Sequence, residues 1–518
     1  MRCDYWNDPL VVSAFRVRFR GGAPTFLAAT YFMGLVALGG ILHHFLADQQ
    51  NYSWISIYCV ALFSIETVLM GLGAMMATHH SMNAEVTNRT LDFQRIAAVP
   101  PRDILLGKLV GEPAQAYLMV LAGLPLLVWC WGMGAVTTGV LVPLIVQLAT
   151  TAFLMGSIGL IHNYDTSADK TKQAGRMIRN AAIGMFTIYG LQITIAAPFL
   201  TTNPLTQIPL GALTPIFGIA GLARGAPTAD GLPLFDYQIP YLYLTPITQI
   251  AIGAIVLHSL ARRMISPVNV ALSKPLTYAI LAVIDVAAAG VVGDPRAMLH
   301  TLDSTVAVFC LIHVSASLLM MLAITPGREC LRSWVWRFRG RQSLPRDLLL
   351  GERSENVAAL AAFCALGLAA AMFLVILPGA QRLGLTESLA TLVSSQADKL
   401  AAMCLLMVSL GVFYQWLVSL GPAMAMFFVL TILTIVVGPH LAGVNLQWPE
   451  LTAVSPSAQF THWIAHDPPL LPTWPFFASY GALLLASRWA LNRRLRLSIR
   501  TVDATIHRML AGETAAPA

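Results

Sequence analysis

The sequence predicts an all-α polytopic membrane protein of about twelve transmembrane helices, laid out as two parallel six-helix repeats. Three observations carry this. The 518-residue chain is 57% hydrophobic and 11% charged, with a mean hydropathy of +0.68; soluble domains carry about 25% charged residues. Apolar runs of about 20 residues recur along it, each long enough to cross a hydrocarbon core of about 30 Å. The run Pro101-Arg102-Asp103-Ile104-Leu105-Leu106-Gly107 returns 244 residues later as Pro345-Arg346-Asp347-Leu348-Leu349-Leu350-Gly351, and each copy follows a Glu (Glu85, Glu329) by 16 positions.

Residues 1–23 form an amphipathic cytoplasmic lead-in. Val12, Phe15 and Phe19 share a helical face, with Arg16, Arg18 and Arg20 around it, a pattern that lies in the membrane interface with its apolar side down. The first apolar run is too long for the core of a cleavable signal and is expected to act as an uncleaved anchor. The first half, 24–264, holds spans near 24–46, 54–77, 108–131, 136–161, 182–200 and 240–262. The second, 265–491, holds spans near 275–293, 302–324, 357–378, 399–419, 423–441 and 472–491. Six spans per half is an even number, so both halves start on the same side and are expected to be related by a pseudo-two-fold axis along the membrane normal.

The long segments 201–239 and 442–471 are apolar and proline-rich, and each holds a small-Pro step (Leu213-Thr214-Pro215, Val454-Ser455-Pro456). They are expected to be short re-entrant or lid elements on the outer face. Trp334, Trp336 and Phe338 alternate with Arg337, Arg339 and Arg341 as an interfacial belt. The tail, 492–518, is basic and amphipathic. Leu495, Ile499, Val502, Ile506 and Leu510 continue a stripe begun at Leu491, with Arg493, Arg494, Arg496 and Arg500 largely off it.

Orientation follows from the retention of Lys and Arg in the cytoplasm. With both termini inside, all 32 Lys and Arg except Arg224, Arg296, Arg382 and Lys399 fall on the cytoplasmic side. The net charge of +7 is thus a topology signal that also attracts anionic lipid, and nucleic-acid binding is excluded as its explanation. The expected location is the plasma (cytoplasmic, or inner) membrane. The seven cysteines are scattered, with no CxxC pair and no Cys/His cluster, so neither a metal site nor a disulfide framework is expected.

Segment 79–108 holds the densest signal. Glu85 and Arg89 stand four apart and can pair on a helix, with Asp92 and Arg95 continuing the charged side. Val99-Pro100-Pro101 ends that helix. Arg102 and Asp103 open the next, where the acid faces the positive end of the helix dipole. Gly107-Lys108 then enters the third span. The expected product is a charged cytoplasmic helix joined through a proline corner to a membrane helix.

These residues resemble the signature loop of ABC-2-type transporter permeases: Glu85-x-x-x-Arg89-Thr90-Leu91-Asp92, then Pro100-Pro101, then Ile104-Leu105-Leu106-Gly107-Lys108. The chain departs from that pattern in Arg89 where Gly is usual, Asp92 for Glu, and Val99 before the proline. Around Glu329 the second copy has Ser333-Trp334 where Arg89-Thr90 would stand. The resemblance implies that six-span permease halves pair, here fused in one chain, as the membrane subunit of an ATP-binding-cassette exporter. It implies motor coupling through 79–108 and 325–356, by Glu85, Arg89, Thr90, Asp92, Pro101, Arg102, Asp103, Gly107 and Lys108, and by Glu329, Arg346 and Asp347 in the second half. Gly107-Lys108 lacks the glycine spacing and the Ser/Thr of a phosphate-binding loop. ATP and magnesium are therefore expected on separate cytoplasmic ATPase subunits, with no cofactor on this chain and no catalytic residue in it.

Within the spans, Glu66 is the clearest acid, and Asp285 and His313 join it as candidates for the translocation path. Ionised side chains there cost several kcal/mol (about 2.5–3.5 on insertion scales) and face a bundle interior or a wet cavity. Gln147 and Gln415 read as interhelical glue, and Glu112-Pro113 as a local kink. No Ser-His-Asp, HExxH or paired-carboxylate arrangement is evident. Two other classes compete: an ion-coupled secondary transporter with parallel repeats, and a polytopic lipid-processing enzyme.

Overall fold

The computed structural model describes residues 23–46, 54–88, 99–162, 231–265, 270–293, 301–326, 345–382, 388–420 and 473–510, apart from 236 and 353, together with a few isolated positions. These divide into two compact units. Unit 1 is residues 1–232 and 237–265; unit 2 is residues 233–236 and 266–518.

Unit 1 holds α1 (Ala23–Leu46), α2 (Trp54–Thr87), α3 (Pro101–Gly111), α4 (Ala114–Gly132), α5 (Thr138–His162) and α6 (Tyr241–Ile265). Unit 2 holds α7 (Lys274–Val292), α8 (Leu302–Ile324), α9 (Pro345–Leu350), α10 (Val357–Arg382), α11 (Leu389–Ser395), α12 (Ala397–Leu420) and α13 (Trp474–Leu510). Among the described residues nine helices, α1, α2, α4–α8, α10 and α12, are long and apolar enough to cross a membrane. The chain is a helical, multi-pass membrane protein. Its outward faces are apolar, with Phe26, Phe45, Val283, Leu319 and Leu485 exposed, while Glu66, Gln147, Asp285, His313 and Gln415 are buried. That inversion suits a lipid solvent, against which polar groups must be turned inward.

Tyr58, Leu62 and Phe63 of α2 pack with Leu127 of α4 and Leu144 of α5 at the centre of unit 1. Phe309 of α8, Val375 of α10, Met403 of α12 and Phe476 of α13 do the same in unit 2. In unit 1 the touching pairs include α1–α2, α1–α4, α2–α4, α2–α5, α4–α5 and α5–α6. Unit 2 repeats all six, in the same chain order, as α7–α8, α7–α10, α8–α10, α8–α12, α10–α12 and α12–α13. The small helices differ: α3 lies on α2, α5 and α6, whereas α9 lies on α7 and α10.

The α2–α5 seam is tight because Gly156 and Gly159 let the backbones approach. Thr78 Oγ1 donates to the Gly156 carbonyl at 3.0 Å, and a Cβ on Gly159 would run into Thr78 Oγ1 and the Met75 carbonyl. Small residues at helix contacts replace the hydrophobic drive that lipid removes.

Several expectations change. The second span was placed at 54–77 with a separate charged helix after it; α2 instead runs unbroken for 34 residues, about 51 Å at 1.5 Å per residue. No proline interrupts it, so its polar C-terminal turns project beyond a core of about 30 Å and carry Ser81 and Glu85. The third span was placed at 108–131, but the helix breaks at Glu112-Pro113. Glu112 N–H makes the last bond of α3, to the Lys108 carbonyl at 3.1 Å, and Pro113, at φ −79° and ψ 11°, stands before α4. Proline has no N–H to continue the ladder.

An all-α reading does not foresee the hairpin of β1 (Gly231–Leu234) and β2 (Tyr237–Pro240), at the end of the expected outer segment 201–239 and the first residue of the span expected at 240–262. Its turn places Phe235 at φ 49°, and Phe235 N–H donates to the Gly290 carbonyl at 3.1 Å. The span expected at 472–491 and the start of the tail form the single helix α13, and α10 carries a π-helical turn at Ala371–Ile376. In the lead-in, Phe15 and Phe19 stack at 5.7 Å, as a shared face requires. The expected spans 182–200 and 423–441 lie outside the described residues, as do most of 442–471 and of the 334–341 belt.

Gly159→Val is expected to force α5 off α2 and cost about 1–3 kcal/mol of stability. A lowered unfolding midpoint of the purified protein in detergent is the readout; an unchanged midpoint would show that the seam is slack.

Candidate functional site

The projecting end of α2 meets α3 in a polar clasp. Residues four apart share a helix face, so Ser81 and Glu85 on α2 face Lys108 on α3 and Glu112 at its C-terminal cap. Lys108 Nζ pairs with Glu85 Oε1 at 2.8 Å and donates to Ser81 Oγ at 2.7 Å. Ser81 Oγ donates in turn to Glu112 Oε1 at 2.8 Å. Lys108 is buried and Glu85 is 22% exposed, so the pair is stronger than a surface contact but keeps one foot in solvent.

Apolar contacts hold α3 in place. Ile104, Leu105 and Leu109 are buried with Met82, Leu160, Leu260 and Met264. Proline at the first position suits the start of a helix, and Asp103 lies in the first turn. Pro101 and Asp103 are half-buried, Arg102 is exposed and Gly107 is buried. Glu85 thus pairs with Lys108, across the corner. Arg89 and Asp92 lie outside the described residues. Thr90 Oγ1, exposed, donates to the Glu85 carbonyl at 3.3 Å.

Unit 2 builds the same corner from other chemistry. Thr325 and Asn356 stand at the 244-residue offset from Ser81 and Glu112, and Asn356 Nδ2 donates to Thr325 Oγ1 at 2.9 Å. The position of Lys108 is taken by Glu352. The buried cation here comes instead from Lys274, at the start of α7. Its Nζ donates to the Leu348 carbonyl at 2.9 Å, Ser354 Oγ at 2.8 Å and the Glu355 carbonyl at 3.1 Å. Asp347 is half-buried, and its carbonyl accepts from Ser354 Oγ and Gly351 N–H, each at 2.8 Å. Glu329 and the side chain of Arg346 are outside the described residues.

The three intramembrane candidates fall in two places. In unit 1, Glu66 is fully buried, and neither carboxylate oxygen has a hydrogen-bond partner among the described residues. It lies against Gly123 of α4: a Cβ there would occupy the place of Glu66 Oε1. In unit 2, Asp285 and His313 come together, Oδ1 to Nδ1 at 2.7 Å, with Ser317 Oγ 3.3 Å from the other ring nitrogen.

The sequence showed no Ser-His-Asp arrangement because Asp285 lies one helix away from the other two. The order of the bonds is that of a hydrolytic triad, but all three residues are at most 2% exposed. Gly367 of α10 closes over the ring, so that a Cβ there would meet His313. A nucleophile needs access to a reacting carbon, and this one has none; the three residues tie α7 to α8. Gly367 stands 244 residues after Gly123, and each glycine receives a buried ionisable side chain, from α2 in one unit and α8 in the other. Ser81, Glu112, Thr325, Asn356 and this glycine pair were not read as site residues, although carrying the offset beyond the PRDxLLG run would have aligned them. Lys274 has no such signal.

Elsewhere Thr150 Oγ1 donates to Gln249 Oε1 at 2.6 Å, tying α5 to α6. Gln147 is buried, with neither amide atom partnered among the described residues. Gln415 Oε1 accepts from the Asn356 N–H at 3.4 Å.

No protein-family model matches the chain, and neither the curated proteins nor the solved structures contain a match to it.

Asp285→Ala is expected to strand the His313 ring and cost about 1–3 kcal/mol, while Asp285→Asn keeps an acceptor on Nδ1 and unfolds close to wild type. Equal melting of the two variants would remove the tie between α7 and α8.

Proposed function

We propose that the chain is the membrane subunit of an ATP-driven exporter. On this reading it comprises two six-span permease halves in parallel orientation, twelve spans with both termini cytoplasmic. A separate cytoplasmic ATPase supplies ATP hydrolysis and magnesium, and substrate moves between the halves.

The observation that carries the reading is the clasp of Glu85 and Lys108. It locks the projecting end of α2 onto α3, in the segment whose residues resemble the coupling loop of ABC-2-type permeases. An inward push on that corner is transmitted to α2 along its own axis and to α5 and α6 through the apolar face of α3. The six matched helix contacts and the Ser81–Glu112 and Thr325–Asn356 bonds at one offset support two halves of common design. The exchange of Lys108 for Glu352 supports unequal engagement of the motor by the two corners. Glu66, Asp285 and His313 remain the candidates for the path.

Glu85→Ala and Lys108→Ala are expected to abolish vanadate-sensitive export by the complex with its co-expressed ATPase, while the chain still inserts in the membrane. Wild-type coupling in both variants would remove the role of the clasp. Single cysteines at Asn83 or Arg102 are expected to react with membrane-impermeant maleimide only from the cytoplasmic side; labelling from outside would overturn the orientation and the reading with it. Transport driven by an ion gradient with no ATPase present would instead favour a secondary transporter.

A further inference from the structure

Glu66 takes part in none of the polar contacts described above for unit 1. Its two oxygens are buried and without hydrogen-bond partners among the described residues. Glu66 is 0% exposed, and an ionised carboxylate in such a place is far more costly than the neutral acid. The packing leaves no room for a larger counter-ion, because Oε1 lies where a Cβ of Gly123 would stand and Leu35 closes the same spot. A divalent metal would need several oxygen ligands, and the groups around Glu66 do not supply them. Those facing groups are Tyr31 from α1, Tyr58 and Cys59 from α2 itself, and Cys130 from α4. The Tyr58 hydroxyl already donates to the Leu35 carbonyl at 3.0 Å, and that of Tyr31 has no partner among the described residues. The α5 helix, also packed on α2, has no titratable residue before His162. The charges of α3 gather at Ser81 and Glu85, about 22 and 28 Å along α2 from Glu66. Among the described residues no Lys or Arg pairs with the acid, and a proton neutralises it without needing space.

We propose that Glu66 is a proton-binding site, occupied while α2 is packed against α4 at Gly123 and emptied when that seam opens to water. The proton adds to one carboxylate oxygen from water and returns to water; no other bond changes. By linkage, raising the pH favours the opened seam and closing it takes up a proton. The inference rests on the packing of unit 1 and goes beyond the exporter reading. A failure of ATPase coupling would leave its readouts unmoved.

The test uses the full chain in lipid nanodiscs. Dicyclohexylcarbodiimide, which enters apolar sites and adds its whole mass to a protonated carboxyl, is expected to modify Glu66 in peptide mapping of the wild-type protein, with modification lost as pH rises. The infrared spectrum at neutral pH is expected to show a protonated-carboxyl carbonyl band that is missing in Glu66→Gln. Carboxylate bands in place of that carbonyl band, or an unmodified Glu66 at every pH, would overturn the proposal. The mapping is read on wild-type protein and stands even if the Gln variant does not fold.

Discussion

Inside this bundle polar groups have only one another to bond. That constraint accounts for the placement of most polar side chains described above. Lys274 is fully buried and survives there because two carbonyls and a hydroxyl converge on its ammonium; those acceptors, left free by the turn after α9, would be costly without it. Lys108 is satisfied by a carboxylate and a hydroxyl on the neighbouring helix, and His313 by Asp285 and Ser317. Each of these arrangements joins elements that are not consecutive turns of one helix, so polar satisfaction and tertiary structure are the same event here. Glu66 departs from this pattern: it is an ionisable group whose two buried oxygens have no hydrogen-bond partner among the described residues.

Shared geometry with divergent chemistry is the second theme. The two units match in six helix contacts, in a hydrogen bond between the end of the second long helix (Ser81, Thr325) and the residue that leads into α4 or α10 (Glu112, Asn356), and in a glycine that receives a buried side chain. Yet Ser–Glu has become Thr–Asn, Lys has become Glu, and a lone acid has become a His–Asp pair. Backbone positions are conserved between the halves because helix packing tolerates few alternatives. The charges are free to differ, because each needs only a local partner. One corner thus presents a Lys108–Glu85 ion pair and the other an amide–hydroxyl contact.

The helical membrane class was legible in the sequence, because apolar runs of spanning length and scarce charge leave no soluble alternative. Repetition of the PRDxLLG run marked both corners, and the residues in them determine where α3 and α9 start, since proline at the first turn loses nothing there. The rest depended on distance in space. The reach of α2 to Thr87 was hidden because a polar end and an apolar middle form one uninterrupted ladder of backbone bonds. At Glu112-Pro113 the sequence predicts a bend and the structure has a break, since proline alone does not tell whether the helix resumes on the same axis. Only packing against Lys108 selected Glu85 as its partner, and only the approach of α7 to α8 brought Asp285 to His313. Local order follows from bonds that every residue carries along the chain; which side chains meet across helices is decided by small residues such as Gly123, Gly156 and Gly367, whose missing Cβ atoms set how near two backbones come.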